Sequence, residues 1–229
     1  MRLRLFVPYG YVDATVREVT MDNVFSAIRS ATHFSIRVGA LGLAFGAAGC
    51  VPVLTSPGGV PDANAPWVAP ENSWPMSEVP ESVRAEGWSD GDVVKDARWT
   101  DQFGAEVSLW QFYGRVIVLD FSTLWCKPCQ ELAADVQATA DDYPDDLTYI
   151  TILVEDLEGN VPDTDELSYW GEYFGITAPI VSDTANVAPT LLPDSSYPAL
   201  FLVDRDLVIH SRIDPVSDEA IRGEIDSAL

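Results

Sequence analysis

Residues Val116 to Phe121 read VIVLDF and lead, through a short loop, into Trp125-Cys126-Lys127-Pro128-Cys129 at the start of a helical pattern. A continuous apolar, β-branched run of this kind is expected for a strand covered on both faces, so the sheet it joins needs a layer on each side. The period then changes. Leu132, Val136 and Tyr143 recur at helical spacing, with Ala133 and Ala140 beside them, and Pro144 ends the segment. A strand, a loop and a Cys-x-x-Cys opening a helix make a thiol reactive, because the unpaired amides and the helix dipole favour a thiolate at Cys126. Cys129, one turn further in, is shielded and placed to attack a mixed disulfide formed at Cys126. Pro128 falls early in the helix, where a missing N–H costs nothing, and Lys127 adds positive charge.

Around this centre the chain from residue 89 to 229 alternates strands and helices. Arg98 to Leu109 predicts a small hairpin turning near Gly104-Ala105, and Leu147 to Val154 (LTYITILV) predicts a strand. Leu167, Trp170 and Phe174 share one face of a short helix that Gly175 would end. Ile180-Val181, Ala199 to Val203 and Leu207 to Ile213 predict three more strands, the last two as a hairpin over Asp204 to Asp206. Ser217 is a good N-cap for a closing helix buried through Ile221 and Ile225. Parallel strands joined by helices, ending in an antiparallel hairpin and a helix, imply a three-layer α/β/α sandwich with a central mixed sheet and an N-terminal β-hairpin.

The segments before residue 89 carry no such pattern. Val38 to Gly49 is a run of 12 apolar or small residues preceded by Arg29 and Arg37. As a helix it is too short to cross a hydrocarbon core of about 30 Å, so it reads as a signal-peptide core within residues 1–49, with Met21 an alternative start. Ala47-Ala48-Gly49-Cys50 resembles the lipobox of bacterial lipoproteins, with Ala47 where that motif prefers Leu, which implies lipidation at Cys50. An ordinary cleavage near Ala48 is the alternative. Residues 50–88 hold seven of the 16 prolines and read as an extended tether. Trp67, Trp74 and Trp88 are many for a linker, and packing back onto the domain edge explains them better than a ligand site does.

Thirteen Lys and Arg against 36 Asp and Glu give a net charge of −23, which argues against nucleic acid as a partner. Three cysteines, two of them three positions apart, exclude a scaffold stapled by several disulfides and a four-cysteine zinc site.

Val107-Ser108-Leu109, Gly114 to Phe121 and Trp125 to Cys129 together resemble the thioredoxin superfamily, most closely its extracytoplasmic thiol-disulfide oxidoreductases of the TlpA and ResA type. The resemblance covers about residues 89–228. It implies a redox-active Cys126–Cys129 disulfide with no bound cofactor, and protein thiols and disulfides as substrates. It also implies an electron-donating partner in the inner membrane and a place on the periplasmic side, lipid-anchored through Cys50. Asp120 stands six residues before Cys126, where the family carries a buried Asp that moves the proton of the resolving thiol. Burial in an apolar strand would raise the pKa of such a carboxyl and let it accept a proton near neutrality. Tyr197-Pro198 and the following apolar strand resemble the segment whose cis-proline faces the disulfide, with Pro193 the competing candidate. Tyr197 is bulkier than the residue usual there, and Asp204 to Leu207 lacks the Gly that the family carries in the next turn.

Two other functions use the same residues. A metal chaperone of this fold would add His210 to the two cysteines, leaving the ion under-ligated unless another group joined. A thiol peroxidase resembling peroxiredoxins would use Thr123, three residues before Cys126, although the Trp-Cys-Lys-Pro-Cys context does not fit it. The acidic stretch Glu155 to Glu166 lacks the regular ligand spacing of a calcium loop and reads as solvated.

Overall fold

The computed structural model describes residues 67–229, together with the backbone of residues 2–7 and 10–15. Strand β1 (Arg2–Val7) pairs antiparallel with β2 (Gly10–Thr15) in a hairpin belonging to a separate unit. Sequence pattern alone assigns no fold to that stretch. Val38 to Gly49 and Cys50, expected as signal and lipidation site, lie outside the described residues.

The second unit is built on a seven-stranded mixed sheet. Its strands are β3 (Arg98–Asp101), β4 (Glu106–Ser108), β5 (Val116–Thr123), β6 (Leu147–Glu155), β7 (Ile180–Ser182), β8 (Ala199–Val203) and β9 (Ile209–Arg212), in the order β4-β3-β7-β6-β5-β8-β9. β5, β6 and β7 are parallel, while β8 runs antiparallel beside β5. Every residue of β5 is buried, as expected of a strand with both faces covered. The helices are α1 (Lys127–Asp142), α2 (Thr164–Phe174), the single turn α3 (Ala188–Leu191) and α4 (Asp218–Ala228).

The three long helices share one face of the sheet. Register places Asp120 beside Thr151 and Thr151 beside Ile180, so these three project from the same side. Gly171 of α2 lies so close to Ile180 that an added Cβ would meet its Cδ1 at 3.0 Å. On α1, the Gln137 Oε1 accepts from the N–H groups of Thr177 and Ala178, and Thr139 Oγ1 donates to Asp218 of α4 at 3.3 Å. The opposite face is covered by smaller pieces. Ile117, Leu119 and Phe121 pack there with Leu109 and Phe112 of a 3-10 turn, Val187 and Ala188 around α3, and Trp74, Val83 and Trp88. The layers are therefore helices, sheet, and a thin cover of short turns and coil.

That cover includes most of the expected tether. From Trp67 onward the chain is fastened to the domain: Trp67 Nε1 donates to Ser108 Oγ at 3.0 Å and Trp74 Nε1 to Asp101 Oδ2 at 2.7 Å. Asn72 bridges to the Glu106 carbonyl and the Gln111 side chain. A boundary at residue 89 cuts through this strap, so the domain reaches back to Trp67. Where the family's glycine is missing, buried Leu207 itself takes the left-handed conformation (φ 65°), and Asp204 Oδ1 closes the turn on the amides of Asp206 and Val208.

Candidate active site

β5 delivers the cysteines. The strand is the hinge of the sheet, parallel to β6 on one side and antiparallel to β8 on the other, and binding sites in α/β sheets form at such switch points beyond the carboxyl ends of strands. After Thr123 the chain turns through Leu124, whose N–H donates to the Glu155 carbonyl at 2.9 Å, and Cys126 N–H bonds back to Thr123 O. Cys126 is the N-cap of α1, and its Sγ accepts from the Cys129 amide at 3.2 Å. Pro128 sits in the first turn, where no intrahelical donor is lost.

Cys126 and Cys129 are joined in a disulfide. Both residues are buried, at 4% and 1% exposure, while Lys127, Pro128 and Trp125 face solvent. The Cys129 amide and the N-terminal dipole of a 16-residue helix would stabilise the Cys126 thiolate once the bond is reduced. Lys127 contributes less than its charge suggests. Its ammonium is exposed and stands 3.8 Å from Glu131, so solvent and a carboxylate both screen it.

Pro198 follows a cis peptide bond, and Pro193 does not. Phe121 pairs with Ala199, which brings the Tyr197-Pro198 turn beside the end of β5 that carries the cysteines. Trp125 and Tyr197 meet edge to face at 6.1 Å between ring centroids, and Trp125 Nε1 donates to Glu155 Oε2 at 3.1 Å. Trp125 remains 49% exposed, so this aromatic pair forms an accessible shoulder next to the buried sulfurs. The Tyr197 phenol is pushed above its usual value by burial and by the charges of Glu155 and Asp183. Arg212 of β9, which the sequence reading missed, donates to the carbonyls of Ser196 and Pro198 and to Ser196 Oγ at 3.0–3.3 Å. No spacing rule marks it, because its partners lie across a hairpin and ahead of a proline.

Asp120 lies on the helix-covered face of β5, wholly buried. Burial pushes its carboxyl up to about 7, with hydrogen bonds from Ser122 and Tyr149 partly offsetting the rise. Ser122 Oγ donates to Oδ1 at 2.8 Å and Tyr149 OH to Oδ2 at 3.4 Å.

The residues of the two other readings are placed differently. His210 contacts Asp204 at 3.4 Å, at the end of β8 remote from Ala199 and hence from the cysteines. Among the described residues no group of three or more His, Cys, Asp or Glu is positioned to hold a metal ion. Thr123 is buried and its hydroxyl has no hydrogen-bond partner among the described residues. The acidic stretch turns on Asp156, whose Oδ1 accepts from the amides of Glu158 and Asn160.

Comparison with known proteins fits this geometry. Residues 91–212 match the AhpC/TSA family. The thiol-disulfide oxidoreductase ResA of Geobacillus kaustophilus is 30% identical over 117 residues, 51% of this chain and 64% of the relative. ResA of Geobacillus thermodenitrificans is 29% identical over the same shares. The match thus spans just under two thirds of these relatives' own length. Among solved structures, the thioredoxin domain of a thiol-disulfide oxidoreductase from Bacteroides vulgatus superposes with a TM-score of 0.51 at 16% identity, over 62% of this chain and 98% of that one. A thiol:disulfide interchange protein from a Bacteroides species gives 0.51 at 17%, over 61% and 89%. These likenesses establish a thioredoxin-like fold.

Proposed function

Because this chain belongs to the AhpC/TSA family of thioredoxin-like proteins, we propose that it is a thiol-disulfide oxidoreductase working on protein disulfides through Cys126 and Cys129. The observation that carries this reading is the Cys126–Cys129 disulfide at a helix N-terminus, flanked by the cis Tyr197–Pro198 turn, with Asp120 buried in the strand that leads into it. The working form is the reduced one, supplied by a dithiol donor. The Cys126 thiolate attacks one sulfur of a client cystine, forming a mixed disulfide and releasing the other client sulfur as a thiolate. Asp120 then takes the proton of Cys129, and the Cys129 sulfur attacks Cys126. The second client thiolate leaves, and two electrons have passed from the cysteine pair to the client. Water reprotonates the client thiolates.

Pro198 shapes the docking groove in this account, and Tyr197 offers its backbone to the client chain. Trp125 and Tyr197 supply the apolar contact, and Lys127 and Pro128 form the exposed rim. The reading includes export, with residues 1–49 as signal and Cys50 as lipid anchor, and so the periplasmic side of a bacterial membrane, with electrons from an inner-membrane donor. Reduction is the favoured direction by likeness to the ResA proteins.

Redox equilibration of the full chain against glutathione, with thiol trapping, tests the proposal. A midpoint at or below about −250 mV is expected for a reductant, and one near −120 to −150 mV would mark an oxidant. Cys129→Ser should accumulate a mixed disulfide with a client and Cys126→Ser should not. Absence of a reversible Cys126–Cys129 disulfide would overturn the reading.

A further inference from the structure

Beneath the cysteine-bearing helix lies a small polar cluster centred on Asp120. Asp120 receives one hydroxyl on each carboxylate oxygen, Ser122 from its own strand and Tyr149 from β6. Across the register on β8 its neighbour is apolar Leu200. The buried side of α1 is Cys129, Ala133, Val136 and Thr139. α4 contributes Asp218, whose charge acts on Tyr149 rather than on Asp120. No Lys, Arg or His is among the groups acting on Asp120. Thr151, opposite Asp120 on β6, directs no hydrogen bond to it.

The geometry points to Tyr149 as a positioning residue that, alongside Ser122, tunes when Asp120 can hold the proton of Cys129. This assignment rests on the exchange reaction proposed above. Ser122 reaches Oδ1 from two positions along the same strand, so its place is set by the backbone of β5. The phenol of Tyr149 is the donor that reaches the carboxylate from outside β5, and it is fully buried with it. At 3.4 Å the contact is longer than a full O–H···O bond of about 2.7 Å, and it would shorten when Oδ2 becomes anionic. The phenol itself is held well above its ordinary value by burial and the Asp120 charge, so it stays a donor throughout the working range. With no cation near, the ionised carboxylate has two hydroxyls to replace lost water, and Tyr149 is one of them.

Single-turnover release of client from the mixed disulfide, followed against pH in the full-length protein, reads this directly. Tyr149→Phe should move the Asp120-dependent midpoint up by about 0.5–1 pH unit and leave the plateau rate unchanged. Asp120→Asn should abolish the midpoint, and adding Tyr149→Phe to it should shift nothing further. Ring-fluorinated tyrosine, a stronger donor of nearly the same size, should move the midpoint down, and it serves if the Phe variant folds poorly. Should the parent show an Asp120-dependent midpoint that neither tyrosine change moves, the Tyr149 assignment falls and the exchange reading stands. A parent without exchange at any pH removes both.

Discussion

Arg212 Nη2 donates to the carbonyl of Pro198 at 3.0 Å, so the edge strand holds the cis-proline turn with a side chain. The same guanidinium reaches Ser196 O at 3.3 Å and Ser196 Oγ at 3.2 Å, and its charge helps the Ser196 hydrogen bonds keep the exposed Asp194 carboxyl below its usual range. Three donations from one planar cation fix the turn more firmly than a single neutral bond could.

Arg212→Ala should therefore loosen the groove without touching the sulfurs. The expected result is a rise of about 3- to 10-fold in KM for a protein disulfide, about 1 kcal/mol of lost positioning, with kcat on a small-molecule disulfide unchanged. Steady-state kinetics on both substrates checks it. A guanidinium-specific role predicts that Arg212→Lys restores little.

Asp120 makes stability depend on pH. Its folded pKa of about 7 lies above the unfolded value of 3.8, so the buried charge costs nothing below about pH 4 and costs progressively more up to pH 7. Asp120→Asn should gain on the parent by about 1.4 kcal/mol per pH unit across that window, up to about 4 kcal/mol, and by no more above it. Urea denaturation of both proteins from pH 4 to pH 8 measures the slope.

The strap from Trp67 to Trp88 contributes to folding. Trp74, Val83 and Trp88 pack on the main apolar cluster, and Asn72 and Trp74 bond to Gln111 and Asp101. A chain starting at residue 89 should lose at least about 3 kcal/mol relative to one starting at residue 67, as expected for removing several apolar side chains and leaving buried polar groups unpaired. Paired denaturant titrations decide this.

Gly175 ends α2 in the left-handed conformation, φ 70°, with open space where a side chain would go. Gly175→Ala should cost about 1 kcal/mol from backbone conformation alone, visible as a lowered Tm with activity retained.

Much of this architecture was legible from local pattern. The apolar run of β5, the helical spacing after Cys126, Gly175 and Ser217 all mark boundaries that the structure keeps within a few residues. Asp120 and Pro198 stand out only through the family resemblance; the structure buries Asp120 within β5 and sets the cis Pro198 beside that strand's end. What the sequence hid were contacts between distant positions. Tyr149 sits in an apolar run that reads only as a strand, 29 residues from Asp120. Trp67, Trp74 and Trp88 do pack back onto the domain edge as expected, but their acceptors and neighbours were not readable, those of Trp67 and Trp74 lying 41 and 27 residues away. Three long helices on one face also could not be inferred from element order alone, because that depends on β5, β6 and β7 advancing in a single direction across the sheet.

The coil preceding β3 has a consequence for how copies of this protein meet. Asn72 occupies the Glu106 carbonyl on β4, and Gly91, Asp92 and Val94 hydrogen-bond to Leu207 and Ile209 at the start of β9. Both outer strands of the sheet are thus partly occupied by the chain's own backbone and side chains, leaving short stretches free to template a neighbour's strand. An acidic surface adds repulsion between copies. Strand-by-strand stacking on this sheet, the route by which sheet proteins clump, is hindered at both of its outer strands by residues that play no part in the thiol chemistry.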